Sequence, residues 1–235
     1  MGERKFSFVE GEYFHIYNRG NSKQVIFKDR FDYERFQILL FVSNATLPFK
    51  LYHIEQPYKD FERGDQLVHI GAYCLMPNHF HILLTPAVKD GVSLFMQKLA
   101  TGFSSYFNNK YDRTGGLFEG RFRAEWADSD EYLKYLFSYI HLNPVKLLQP
   151  KWKEEGIQNC LATLLYLENY RYSSFVDYDS YSEDSKVGNS RNIVERKEVK
   201  ILNKQVFPDY FKNKEDFRKE ILDWINFNPK TPTQI

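Results

Sequence analysis

Two apolar runs separated by only two residues set the tightest limit on the fold. LVHIGAYCLM (67–76) and HFHILLT (79–85) flank Pro77-Asn78. Each has the length of a strand, and so short a connection suits antiparallel pairing. Around this hairpin the chain alternates in kind. EYFHIYN (12–18) alternates apolar and polar residues and reads as a strand, followed by a turn at Asn18-Arg19-Gly20-Asn21-Ser22. Phe31, Phe36, Leu39, Leu40 and Val42 recur at helical spacing, so an amphipathic helix is expected over 30–45. The stretch 47–65, with Pro48, Pro57 and Gly64, reads as an irregular insertion holding a short strand at 49–53.

Beyond the hairpin, 93–111 reads as a helix with Ser93 as N-cap, and Gly115-Gly116 breaks the chain. LFEGRFRAEW (117–126) reads as a further strand. Asp128, with Glu131 three residues on, predicts a capped helix running to Asn143 and stopping before Pro144. The order is βαββαβ followed by a helix. It predicts an α+β fold, a ferredoxin-like or RRM-like antiparallel sheet with its helices on one face. We place this domain at 1–150 and a partly helical C-terminal extension at 151–235, with helices expected over 151–170 and 209–226 and a polar stretch between them.

Composition narrows the partners. The net charge is +1, so nucleic-acid binding over the whole surface is excluded and any such site must be a local patch. Aromatics make up 17% of the chain; most must be core, and exposed ones suit stacking on unpaired bases. Cys74 and Cys160 form no C-x-x-C pair and are expected to be buried thiols in a reducing cytosol. No apolar run approaches the ~18 residues of a membrane span, and no signal-peptide pattern follows Met1. A cytoplasmic protein without a membrane partner is expected.

His79-Phe80-His81 begins a strand, so the two imidazoles share one face about 6–7 Å apart at Cα and can hold one divalent ion, while Phe80 points into the core. Tyr139 and Asn143 lie four apart and project from one helix face. Asn143 is equally placed to act as a C-terminal cap, and Tyr139 to be a core tyrosine with a satisfied hydroxyl. Two imidazoles and an amide oxygen would leave open positions on Mg²⁺ or Mn²⁺ for phosphate and water. A phenol beside such an ion could lose its proton and attack phosphorus. Tyr132 and Tyr135 compete on the same helix, but only Tyr139 has an asparagine four residues on. His141 falls off that face and is expected at the surface. Arg19 and Lys23 flank a turn, and Arg121 and Arg123 lie two apart on the expected strand. All four suit phosphate contact. Pairing of the last two with Glu119 and Glu125 is the plainer alternative. Phe103, Tyr106 and Phe107 follow helical spacing and are expected in the core.

Four segments, HIYNRGN (15–21), AYCLMPNHFHILL (72–84), GGLFEGRFRAEW (115–126) and YIHLNPVK (139–146), together resemble the HUH single-tyrosine transposases of the insertion-sequence type, most of all their REP-associated branch. ENYRYSSF (168–175) resembles a segment that follows the core in that family. The resemblance implies that His79 and His81 bind the metal with Asn143, and that Tyr139 is the nucleophile. It also implies a 5′-phosphotyrosine intermediate, a free 3′-hydroxyl, and single-stranded DNA containing a hairpin as substrate. The competing readings are a domesticated hairpin-binding protein without transposition, an H-x-H hydrolase using metal-bound water, and a replication or mobilisation nickase. The first should have lost His79, His81 or Tyr139. The second needs no Tyr139. Relatives in the third often carry the histidines and tyrosine in another chain order.

Overall fold

The hairpin read from the sequence forms one side of the sheet. A computed structural model describes residues 6–48, 54–179 and 196–226. Strands β1 (Phe14–Arg19), β2 (Val68–Met76), β3 (His79–Pro86) and β4 (Arg123–Trp126) form one sheet in the order β2-β3-β1-β4. Every neighbouring pair is antiparallel. This is the expected ferredoxin-like arrangement.

Helix α1 (Arg30–Val42) starts at Asp29, whose carboxylate accepts from the backbone of Phe31 and Asp32, with Asp32 returning the bond in a capping box. The short α2 (Pro57–Asp60) lies in the otherwise irregular insertion; the strand expected at 49–53 falls outside the described residues. Helix α3 spans Gly91–Lys110. Both long helices cover one face of the sheet, where Phe14, Ile16, Phe80 and Ile82 pack with Phe36 and Leu40 of α1 and Phe95, Leu99 and Phe103 of α3. Phe103 and Phe107 are core, as their spacing predicts, and Tyr106 is partly buried against it.

The opposite face is also covered. Helix α4 (Asp130–Leu142) crosses it, followed by α5 (Val145–Leu148), α6 (Trp152–Glu155), α7 (Cys160–Asn169), α8 (Phe175–Asp179) and α9 (Lys214–Asn226). Ala72, Cys74, Met76 and Leu83 of the sheet share a second core with Leu133, Leu136 and Phe137 of α4, Phe175 of α8 and Phe217 and Ile221 of α9. The C-terminal part also borders β2, where Leu75 donates to the Tyr172 carbonyl (2.9 Å) and Ser174 donates to the Tyr73 carbonyl (3.0 Å). No helix of the described residues is long and apolar enough to cross a membrane.

Several boundaries differ from expectation for local reasons. The segment before β4 is not continuous strand: Phe118 makes an isolated bridge with Gly20, then Gly120, at φ +122°, leaves extended geometry, and the regular ladder begins at Arg123. Helix α3 starts before Ser93, because its first residue backs onto β2; a Cβ on Gly91 would lie 2.0 Å from the Leu67 carbonyl oxygen. Ser129, not Asp128, caps α4 by accepting from the Tyr132 backbone. The expected helix over 151–170 is split into α6 and α7, with Gly156 between them at φ +75°. The final helix starts at Lys214 rather than 209. Cys74 is buried as expected, whereas Cys160 is only half-buried.

Candidate active site

The register of the sheet decides which side chains meet. In β3, His79 and His81 share a face, and β1 pairs Arg19 with His79 and Tyr17 with His81. Glu125 of β4 pairs with His15 of β1. His15, Tyr17, Arg19, His79, His81, Arg123 and Glu125 therefore stand on one side of the sheet, facing α4. Phe80 points the other way, 2% exposed, its ring centroid 4.9 Å from that of Phe36.

Tyr139 of α4 lies over this row. Its ring meets His81 edge-on at 5.6 Å between centroids and His15 at 5.8 Å. One turn on, Asn143 ends the helix, and its side-chain amide donates to the Tyr139 carbonyl at 3.0 Å. Asn143 thus serves as the helix cap and also faces the site. Tyr139, His79, His81, Asn143, Arg19, Lys23, Arg121 and Arg123, the residues chosen from the sequence as candidate nucleophile, metal ligands and phosphate contacts, line one cavity of about 800 Å³. Tyr132 and Tyr135 are directed elsewhere: the Tyr132 hydroxyl donates to Glu125 (3.1 Å), and Tyr135 packs on Trp224 at 5.3 Å.

The two imidazoles are held neutral. Burial, with Lys146 and Arg19 nearby, pushes His79 down to about 4. Burial and the neighbouring His15 and His79 hold His81 well below the usual histidine range. His79 Nδ1 is hydrogen-bonded to Asn78 Oδ1 (2.7 Å), and His81 Nδ1 to His15 Nε2 (2.8 Å). Among the described residues neither Nε2 has a hydrogen bond, so each can offer its lone pair to a cation. Among those residues no three His, Cys, Asp or Glu side chains group as a metal site. The cavity lining does include the two imidazoles of His79 and His81 and the side-chain amide of Asn143. Those residues fit a divalent cation that keeps open positions.

The basic residues are held by the loops. Gly20 donates to the Asn78 carbonyl (2.8 Å), and Glu119 donates to the Arg19 carbonyl (3.0 Å), which ties 18–24, the β2–β3 turn and the approach to β4 together. Ser22 and Lys23 adopt left-handed backbone (φ 54° and 58°) in the turn that carries Lys23 into the cavity wall. Arg121 lies outside the strand, yet it lines the cavity with Arg123. The acidic neighbours pair differently from the plainer expectation: Glu119 bonds Arg19, and Glu125 takes the hydroxyl of Tyr17 (2.8 Å).

Sequence reasoning missed three contributors. His15 and Glu125 belong to the row through strand register alone. Lys153 of α6 places Nζ 4.2 Å from the centre of the Tyr139 ring, and burial lowers its pKa. With Lys146, it brings the C-terminal part to the cavity. His141, expected at the surface, is fully buried, hydrogen-bonded through Nε2 to Ser174 Oγ (2.8 Å) and pushed down to about 3 by burial. The helix face it occupies is covered by α8 and α9, which local spacing does not reveal.

Residues 60–143 match the model of the IS200-like transposase family. The match bears out, over that segment, the resemblance to insertion-sequence transposases. No curated protein matches the chain. Among solved structures, a REP-associated tyrosine transposase bound to a REP hairpin is similar, with 15% identity and a TM-score of 0.49 over 83% of this chain and 96% of that one.

Proposed function

We propose that this chain, with its IS200-like transposase segment at 60–143, is a metal-dependent DNA transposase that cleaves and rejoins single-stranded DNA flanked by a hairpin. The observation that carries this reading is the arrangement at the cavity: the Tyr139 ring meets the buried His81 imidazole edge to face, and six basic side chains line the same opening.

Arg19, Lys23, Arg121 and Arg123 bind the phosphates flanking the scissile bond and hold the strand against α4. Tyr139 is the nucleophile. Its oxygen forms a bond to phosphorus, the bond from phosphorus to the 3′ oxygen breaks, and the phenol proton is lost. The departing oxygen takes up a proton and becomes a free 3′-hydroxyl. The 5′-phosphotyrosine preserves the phosphodiester energy, and attack by a 3′-hydroxyl reverses the exchange and reseals a strand. His79, His81 and Asn143 would hold Mg²⁺ or Mn²⁺, which when bound polarises the phosphate and favours the phenolate. Burial raises the Tyr139 pKa above the ordinary phenol value, with the Asn143 side chain pulling the other way, so the free site keeps the phenol protonated near neutral pH.

The test mixes the protein with labelled hairpin DNA carrying a single-stranded flank, plus Mn²⁺, and resolves the products on a denaturing gel. The parent is expected to give a covalent protein–DNA band and Tyr139→Phe none, at equal DNA affinity. Cleavage without a covalent band would replace the tyrosine by metal-bound water. Tight hairpin binding with no cleavage would mark a domesticated binding protein.

A further inference from the structure

We propose that His15 and Glu125 are positioning residues of this site, fixing the tautomer of His81 so that its Nε2 offers a lone pair to a divalent cation. This rests on reading His79 and His81 as cation ligands. His15 is 3% exposed, and its ring lies almost parallel to that of His81, with centroids 5.0 Å apart. His15 Nε2 and His81 Nδ1 are 2.8 Å apart, so one proton lies between them. Which ring owns that proton decides whether the site can bind metal.

Two arrangements of neutral imidazoles satisfy the bond. In the first, His15 donates from Nε2, and His81 must then carry its own proton on Nε2, where it blocks ligation. His15 Nδ1 would be left with a bare lone pair. In the second, His81 donates from Nδ1, its Nε2 is open, and His15 carries its proton on Nδ1. The surroundings choose the second. His15 Nδ1 is buried with no hydrogen-bond partner, and the nearest charged group is Glu125 Oε2 at 3.8 Å. A carboxylate attracts an N–H and repels a lone pair. The carboxylate is itself held in place, accepting from Tyr17 (2.8 Å) and Tyr132 (3.1 Å). Contact with His15 comes first among the influences that hold Glu125 down at about 2. The chain Glu125, His15, His81 is thus a carboxylate–histidine arrangement extended by one ring, and outer partners of this kind set ligand orientation and basicity.

The roles separate cleanly from those of the ligands. His79 has its own partner in Asn78 Oδ1 and does not depend on His15. Neither His15 nor Glu125 is among the residues lining the cavity.

The experiment uses the full chain, with Mn²⁺ alone as the probe. Imidazole ¹⁵N NMR of the metal-free protein reads the tautomer of His81, and calorimetry reads Mn²⁺ affinity, for the parent, Glu125→Gln, His15→Gln and His15→Phe. The parent is expected to carry the His81 proton on Nδ1. Glu125→Gln should shift His81 towards the Nε2–H form. His15→Phe should weaken Mn²⁺ binding roughly 10–100-fold. His15→Gln, whose amide oxygen can still accept from His81 Nδ1, should recover part of that loss. Hairpin affinity measured with chelator should stay within twofold of the parent in every variant. Should His15→Phe fail to fold, Glu125→Gln at the sheet edge still decides the matter by NMR. A parent with its His81 proton on Nε2, or Mn²⁺ binding that is absent or unchanged across the variants, overturns the proposal. The covalent-band assay separates it from the transposase reading: tautomer and affinities as expected with no covalent band in the parent would sink that reading and leave the positioning role intact.

Discussion

The Tyr139 ring stands at 81° to the His81 ring, so the two rings meet edge to face. This orientation depends on two independent placements, a helix angle for Tyr139 and a strand register for His81. The ring of Phe80, on the far side of β3, fixes the second. Phe80→Ala removes a buried aromatic flanked by both histidines. It should cost about 3–5 kcal/mol in urea unfolding, and the remaining folded protein should bind Mn²⁺ less tightly than the parent. Phe80→Leu should retain most of both properties.

Lys153 is expected to act on Tyr139, the proposed nucleophile. A cation over the ring favours negative charge developing on the phenol oxygen, and its position on the cavity wall also suits the scissile phosphate. Lys153→Met keeps the packing of the stem and removes the charge. The rate of covalent-band formation should fall about tenfold or more, with hairpin affinity changed by less than threefold. An unaltered rate would confine Lys153 to packing.

DNA affinity should be steep in salt but modest in extent. Four phosphate contacts at roughly 0.7 each predict a slope of about −3 in log K against log salt for a single-stranded flank. Glu119 competes with phosphate for Arg19. Glu119→Gln should therefore raise affinity a few-fold at low salt, while Arg19→Ala and Arg121→Ala lower it. Equal binding by all three variants across a salt titration would place the contact surface elsewhere.

The sheet and its C-terminal cover should unfold together. Ser174 Oγ accepts from the Tyr73 backbone (2.9 Å) and bonds His141 Nε2, both buried. Ser174→Ala strands the two and should cost about 1–3 kcal/mol. A fragment ending at residue 150 would expose the apolar residues of β2 and α4 that Phe175, Phe217 and Ile221 cover. It is expected to lose the cooperative transition of the full chain in circular dichroism.

Much of this site was legible because the informative spacings are local. A period of two put His79 and His81 on one face, and a period of 3.6 put Tyr139 and Asn143 on another. The same local logic found α1, α3 and the β2–β3 hairpin. His15 was not legible, because its meeting with His81 depends on the register between strands that lie far apart in sequence. Lys153 and the burial of His141 depend on how the C-terminal helices return to the sheet, which no spacing in their own segments encodes. Arg121 lines the cavity with Arg123 although, next to Gly120, it lies outside the strand on which the two were expected to share a side.

β2 lies at one end of the sheet, where a strand ordinarily presents unpaired amides and carbonyls that another chain can adopt. Here those groups are answered one after another. Asn44 serves Val68 (2.8 and 2.9 Å), Asn203 serves Ile70 (2.8 Å), and Tyr178 caps the Gly71 carbonyl (2.8 Å). Ser174 and Tyr172 continue through Tyr73 and Leu75, and Tyr170 closes the Leu75 carbonyl at 2.6 Å. A nine-residue border that could template aggregation is thereby sealed by side chains and loop backbone from three separate regions. The opposite border is the four-residue β4, too short to recruit a long foreign strand. Self-association through sheet extension is thus discouraged on both sides.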